Sequence, residues 1–208
     1  MKGIEKAVRV GWIAGIVMAA ALPVQADNCN VDVYLRVGVS LPVPAFTQQR
    51  VSEMFREIGV DLRLHMGLPP RDADQTCGPP IVVQLDGSTG YTGPKEVLAY
   101  ALPYREAGTC IHVFLDRIVH GDRELPFTGI LLAHVIAHEI THVLEQSTQH
   151  SEEGVMKARW TYQDYHRMKS GPLPFASEDL ERISAGLARR SHITHAGERR
   201  VLYAEARK

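Results

Sequence analysis

Apolar and polar positions alternate over residues 31–39 (VDVYLRVGV), the period-two pattern of a strand with one buried face, and Pro42 and Pro44 end it. The period then changes. Val51, Met54, Phe55 and Ile58 fall at i, i+3, i+4 and i+7, which predicts an amphipathic helix closed by Gly59. Alternation returns at 60–66 (VDLRLHM), and the Pro-, Gly- and Asp-rich stretch 67–80 reads as a long loop. Residues 81–85 predict a third strand, and 97–102 and 111–118 (IHVFLDRI) two more, separated by the turn-rich segment 104–109.

From 129 to 144 the sequence GILLAHVIAHEITHVL has no polar face beyond its histidines, Glu139 and Thr141, so it predicts a helix buried nearly all round, with Thr128 as its cap. Ionisable groups on such a helix need a purpose, because an unpaired charge in a core costs several kcal/mol. A last helix follows, with Ser177 as its cap, Glu178 and Asp179 complementing its dipole, and Leu180, Ile183 and Leu187 as its stripe. Residues 191–208 are polar and Arg-rich and read as a solvated tail.

Composition narrows the function classes. The chain has 208 residues, 45% apolar and 23% charged, which excludes a disordered, collagenous or multi-span membrane protein and suits a single domain. Its formal charge of −1 gives no global footprint for nucleic acid or an anionic membrane. Lys2, Lys6 and Arg9 precede an uncharged apolar stretch at 10–21 and then Val24-Gln25-Ala26, the layout of a signal peptide over residues 1–26 with cleavage before Asp27. The apolar run is too short for a comfortable membrane span. The expectation is an exported chain, secreted or periplasmic, without stable membrane association once cleaved. Cys29, Cys77 and Cys110 then allow one bridge and leave one thiol, and none sits in a C-x-x-C pair.

The chemistry concentrates in His138-Glu139-Ile140-Thr141-His142. Residues four apart on a helix share a face one turn above each other, so the two imidazoles can hold one Zn²⁺ while Glu139 stands beside them as general base. Zinc lowers the pKa of a water towards about 7 and polarises a carbonyl. Glu139 can take the proton of the attacking water and pass it to the leaving amine.

On these residues the sequence resembles the metzincin metallopeptidases, in particular their matrixin-like and archaemetzincin-like small catalytic domains. The resemblance covers most of residues 31–187. Leu98-Ala99-Tyr100-Ala101-Leu102-Pro103 is similar to the family's substrate-binding edge strand, and Ile111-His112-Val113-Phe114-Leu115-Asp116 to the strand before its active-site helix. His150-Ser151 followed by Gly154-Val155-Met156 is similar to its third-ligand and methionine-turn segment, and Ser177-Glu178-Asp179-Leu180 to the start of its final helix. The resemblance implies an α+β fold over 27–190: a twisted, mixed five-stranded sheet with an antiparallel edge strand, two long helices, and a small C-terminal subdomain with a final helix. It further implies a monomeric metalloendopeptidase acting on peptide or protein substrates, with Leu98, Ala99, Tyr100 and Ala101 binding the peptide and Met156 forming an apolar base beneath the metal. Neighbouring parallel strands in that topology favour a Cys77–Cys110 disulfide over Cys29–Cys77.

The sequence departs from the family motif H-E-x-x-H-x-x-G-x-x-H, having Glu145 at the glycine and Thr148 at the last histidine. His150 comes eight residues after His142 instead of six, and no glycine supplies the turn between them. Glu145 is the rival third ligand. Ligands at i, i+4 and i+7 of one straight helix span about 10 Å of rise, too far for one ion with bonds of about 2 Å, so His150 is preferred. The expected ligand set is therefore His138, His142 and His150, with nearest nitrogens about 3 to 4 Å apart. His134, one turn before His138, reads as a satisfied core histidine rather than one that orients a ligand, and Tyr162 and Tyr165 as aromatics packing with Trp160, the alternative being a substrate contact such as the resemblance implies for a tyrosine after the methionine turn. His65, His112, His120, His166, His192 and His195 show no ligand spacing.

Overall fold

The computed structural model describes residues 30–38, 43–70, 73, 77–102, 109–119 and 125–205. The expected signal segment 1–26, together with His120 and Cys29, lies outside them. The protein is α+β. Its strands β1 (Asn30–Val37), β2 (Asp61–Met66), β3 (Ile81–Asp86), β4 (Ala99–Leu102) and β5 (Thr109–Phe114) form one sheet in the order β2-β1-β3-β5-β4. β1 pairs in parallel with β2 and β3, β3 pairs in parallel with β5, and β4 alone runs antiparallel, along β5.

The alternation seen in sequence sets the two faces. Val31, Val33 and Leu35 of β1, Ile81, Val83 and Leu85 of β3, and Ile111 and Val113 of β5 are buried in one core cluster. Helices α1 (Phe46–Glu57) and α3 (Leu125–Glu145) complete that core, α1 through Val51, Met54 and Phe55, and α3 through Leu131, Leu132, Ile136 and Ile140. α3 is apolar and long enough over Pro126–Glu145 to cross a membrane, yet 83% of its most apolar window is buried inside the protein, which is how a core helix behaves. Val155, Met156, Met168, Leu173 and Ile183 from the C-terminal part join the same cluster.

Several boundaries differ from the sequence reading, β4 among them, which starts at Ala99 rather than at residue 97. The fifth strand stops at Phe114 and the chain turns directly into α2 (Leu115–Val119), where the Asp116 carboxylate accepts from the Ser88 N–H at 2.9 Å and from its hydroxyl at 2.6 Å. α3 begins at Leu125, so Thr128 lies inside its first turn and is buried. The final helix α5 (Ser177–Glu205) continues through most of the expected tail, and Ser177 is its exposed first residue. Asp179 takes over the capping, accepting from the Ala176 N–H at 2.8 Å.

A further helix, α4 (Tyr162–Ser170), occupies the polar aromatic stretch behind a reciprocal capping box of Thr161 and Asp164. Burial alone would raise the Asp164 carboxyl, but hydrogen bonds from Lys157 and Thr161 outweigh it and hold the group down to about 2.

The Cys77–Cys110 bridge does not form. Cys77 is disulfide-bonded, while Cys110 keeps its thiol. Cys110 pairs in register with Val82 inside the sheet, whereas Cys77 lies before β3 begins, so the two sit at different heights along neighbouring strands. The segment at Cys77 is instead clasped from α5. Buried Arg190 donates to the carbonyls of Cys77 at 3.0 Å and Pro79 at 2.7 Å, passing over Gly78, whose φ of +84° suits glycine.

Candidate metal centre

α3 presents His138 and His142 one turn apart, with ring centroids 4.7 Å from each other. Each ring is oriented by a backbone carbonyl outside the helix: Nδ1 of His138 lies 2.9 Å from Val155 O, and Nδ1 of His142 lies 2.9 Å from Ser147 O. A carbonyl can only accept, so both Nδ1 atoms carry the proton in the neutral rings and both Nε2 atoms are left with a bare lone pair. Those two Nε2 atoms face each other at 3.1 Å. Two lone pairs aimed at each other repel unless a cation lies between them, so the arrangement fits a metal ion.

The chain after α3 delivers the third imidazole. The Gln146 N–H bonds Val143 O at 3.3 Å and the Ser147 N–H bonds His142 O at 3.2 Å, which together make a Schellman turn. The left-handed position of that turn, φ 54°, is filled by Gln146 where glycine is usual. α5 supports it: Arg189 donates to the Gln146 side-chain oxygen at 3.1 Å and to Glu145 O at 2.9 Å. Gly186 lies so close to the helix end that a Cβ there would meet Leu144 O at 1.7 Å.

His150 follows and joins the pair. One ligand nitrogen from each of His138, His142 and His150 lies within 4.8 Å of the others, the one such group of three or more among the described residues. The separation within the helical pair falls inside the 3 to 4 Å expected from the sequence, and the set as a whole is bounded at 4.8 Å. His150 is exposed, but its neighbour Ser151 is buried and anchored. The Ser151 N–H donates to Met156 O at 3.0 Å, its hydroxyl donates to Asp179, and Arg182 donates to that hydroxyl at 2.9 Å. Met156 is fully buried in the core, one residue beyond the carbonyl that orients His138. Gly154 makes the turn possible twice over, with φ +74° and a backbone approach that would put a Cβ 2.2 Å from Pro174 O.

Burial dominates the electrostatics. It lowers His138 to about 3 and His142 to about 4, and it lowers His150 as well, so all three rings are neutral near pH 7, the form that ligates metal. It pushes Glu139, 8% exposed, up to about 8. Glu145 is also buried and pushed up to about 7, against the pull of Arg182, whose Nε lies 3.2 Å from its carboxylate. That pairing ties Glu145 to α5, and Glu145 is not part of the group that His138, His142 and His150 form.

Of the other residues singled out in sequence, His134 sits in the core with both nitrogens used: Nδ1 donates to Ile130 O at 2.7 Å and Nε2 accepts from the Leu173 N–H at 3.1 Å. Ala99, Tyr100 and Ala101 lie in β4 at the edge of the sheet, while Leu98 precedes the strand and accepts through its carbonyl from the Phe114 N–H at 2.9 Å. Tyr162 is 78% exposed against His166, and Tyr165 packs edge-on to Phe127. The aromatic beside the site is Trp160, edge-on to His138 at 5.8 Å and to His134 at 6.2 Å. Sequence reasoning passed over it as a site residue, and its only signal was position four residues after Met156. The carbonyls of Ser147 and Val155 were also missed, because a backbone acceptor has no residue signature. The sequence matches no protein-family model and no curated protein.

Proposed function

We propose that the chain is an exported, monomeric zinc-dependent endopeptidase with a metzincin-like catalytic domain. One observation carries this reading: the facing Nε2 atoms of His138 and His142 at 3.1 Å, each with its Nδ1 proton committed to a carbonyl. Tetrahedral zinc with bonds of about 2.0–2.1 Å places two ligand nitrogens about 3.3 Å apart, so the helical pair needs little adjustment. His150 closes a three-imidazole set that leaves one coordination position open, the pattern of catalytic rather than structural zinc.

Zinc held there supplies Lewis-acid activation of water and of the scissile carbonyl. Glu139, next to His138 on α3, accepts the proton of the attacking water on its carboxylate and delivers it to the leaving nitrogen. Burial favours the protonated carboxyl of that delivery step, and a cation beside it favours the ionised form of the accepting step. The substrate lies extended along β4, whose outer side carries no strand among the described residues, and exchanges main-chain hydrogen bonds with Ala99 and Ala101.

The test is Glu139→Gln in the full chain with zinc content and peptide hydrolysis measured together. Zinc is expected to stay while hydrolysis falls at least about a hundredfold. Equal turnover in the variant overturns the mechanism, and loss of zinc makes Glu139 a ligand. Zinc binding by a wild type that cleaves no peptide points to a silent zinc- or peptide-binding protein.

A further inference from the structure

On the opposite face of the sheet from α1 and α3, β3 and β5 place a second set of chemically active side chains. Cys110 and His112 are two apart on β5, so they share a face, and Sγ of Cys110 lies 3.5 Å from Nε2 of His112. The other ring nitrogen, Nδ1, points at Asp86 Oδ2 across the strand pair at 3.7 Å. Asp86 is itself held, because Gln84 donates to its Oδ1 at 2.8 Å. From the opposite strand, Tyr100 stacks on the imidazole at 5.0 Å and 15°, fixing the ring plane.

We propose that Cys110 is a nucleophilic thiol, with His112 as its base and Asp86 as the group that orients the base, and that it is modified by low-molecular-weight disulfides. The order thiol, imidazole, carboxylate is what nucleophile activation requires: the base meets the nucleophile through one nitrogen at 3.5 Å, and its other nitrogen faces the carboxylate at ion-pair rather than hydrogen-bond distance. A packed structural cysteine needs neither neighbour. His112 and Asp86 are both about 30% exposed, so the cluster opens to solvent and admits a small reagent.

The step balances without a further oxidant. His112 Nε2 takes the Cys110 proton, and the thiolate attacks one sulfur of a disulfide RSSR. The S–S bond breaks, its electron pair leaves on the second sulfur, and that thiolate takes the proton back from His112. The products are Cys110–S–S–R and RSH. The zinc centre takes no part, so the inference stands or falls separately from the peptidase reading.

The experiment uses the full chain and dithiobis(nitrobenzoate) as probe, following thiol release at fixed pH near neutrality, with mass spectrometry locating the adduct. Expected is one adduct, on Cys110, formed at least roughly tenfold faster than by the same chain in denaturant. His112→Asn slows it roughly tenfold and Asp86→Asn slows it less, while circular dichroism shows both variants folded. A native rate no faster than the denatured rate, an adduct on another cysteine, or a folded His112→Asn variant that reacts like wild type overturns the proposal.

Discussion

His134 and the pair His138 and His142 sit on one helix, one turn apart, all depressed in pKa by burial, yet only the pair converges with His150. The difference lies in the nitrogen accounting. His134 donates to Ile130 O and accepts from the Leu173 N–H, so no lone pair remains. In His138 and His142 the backbone claims only the Nδ1 proton and leaves Nε2 open. Burial makes an imidazole neutral, and the second backbone contact decides whether it braces the core or can ligate.

That contrast can be broken at its strongest point first. His142→Ala leaves two of the three proposed ligands and is expected to abolish retention of zinc through dialysis, whereas His134→Gln is expected to keep one zinc per chain. A His134→Gln protein that loses its metal removes the distinction. The same variant should cost about 1–2 kcal/mol in urea unfolding, because glutamine reproduces the two hydrogen bonds only partly. Its pH dependence sharpens the comparison. His134 is held near 4 against an ordinary 6.5, so in the metal-free chain the unfolded state takes up a proton that the folded state refuses. Stability is therefore fully present above about 6.5 and is lost as pH falls from there towards 4, and His134→Gln should remove that share of the slope. The smallest effect concerns the turn behind His142. Gln146→Gly relieves the left-handed strain that Gln146→Ala retains, so the glycine variant should unfold about 1 kcal/mol later than the alanine one.

The strands were legible because their core positions alternate: Val31, Val33 and Leu35 face the core and Asp32 and Arg36 the other side, where Tyr34 is nonetheless buried against His65. α2 was hidden because the apolar run of β5 continues through Leu115 and Ile118, and the hydrogen bonds from Ser88 to Asp116 come from far away in sequence. α4 had a readable signal, Thr161 three residues before Asp164, that its polar surroundings masked. The extent of α5 was not legible, since residues 191–205 have no apolar stripe to announce a helix. At the site, the HEITH spacing announced the helical pair. The extra two residues before His150 became interpretable only once Gln146 was seen to close the helix with Arg189 behind it. The disulfide depended on the register of β3 and β5, which pairs Cys110 with Val82 and leaves Cys77 beyond the strand.

The clasp of Arg190 on the carbonyls of Cys77 and Pro79 joins positions 113 and 111 residues apart. A chain made from its N-terminus exposes His138, His142 and His150 before it exposes Asp179, Arg182, Arg189 and Arg190. The proposed ligands thus precede in synthesis the α5 groups Asp179, Arg182 and Arg189 that hold the segment from Glu145 to Ser151. If the three imidazoles hold a metal as proposed, their loop is steadied only once α5 is in place.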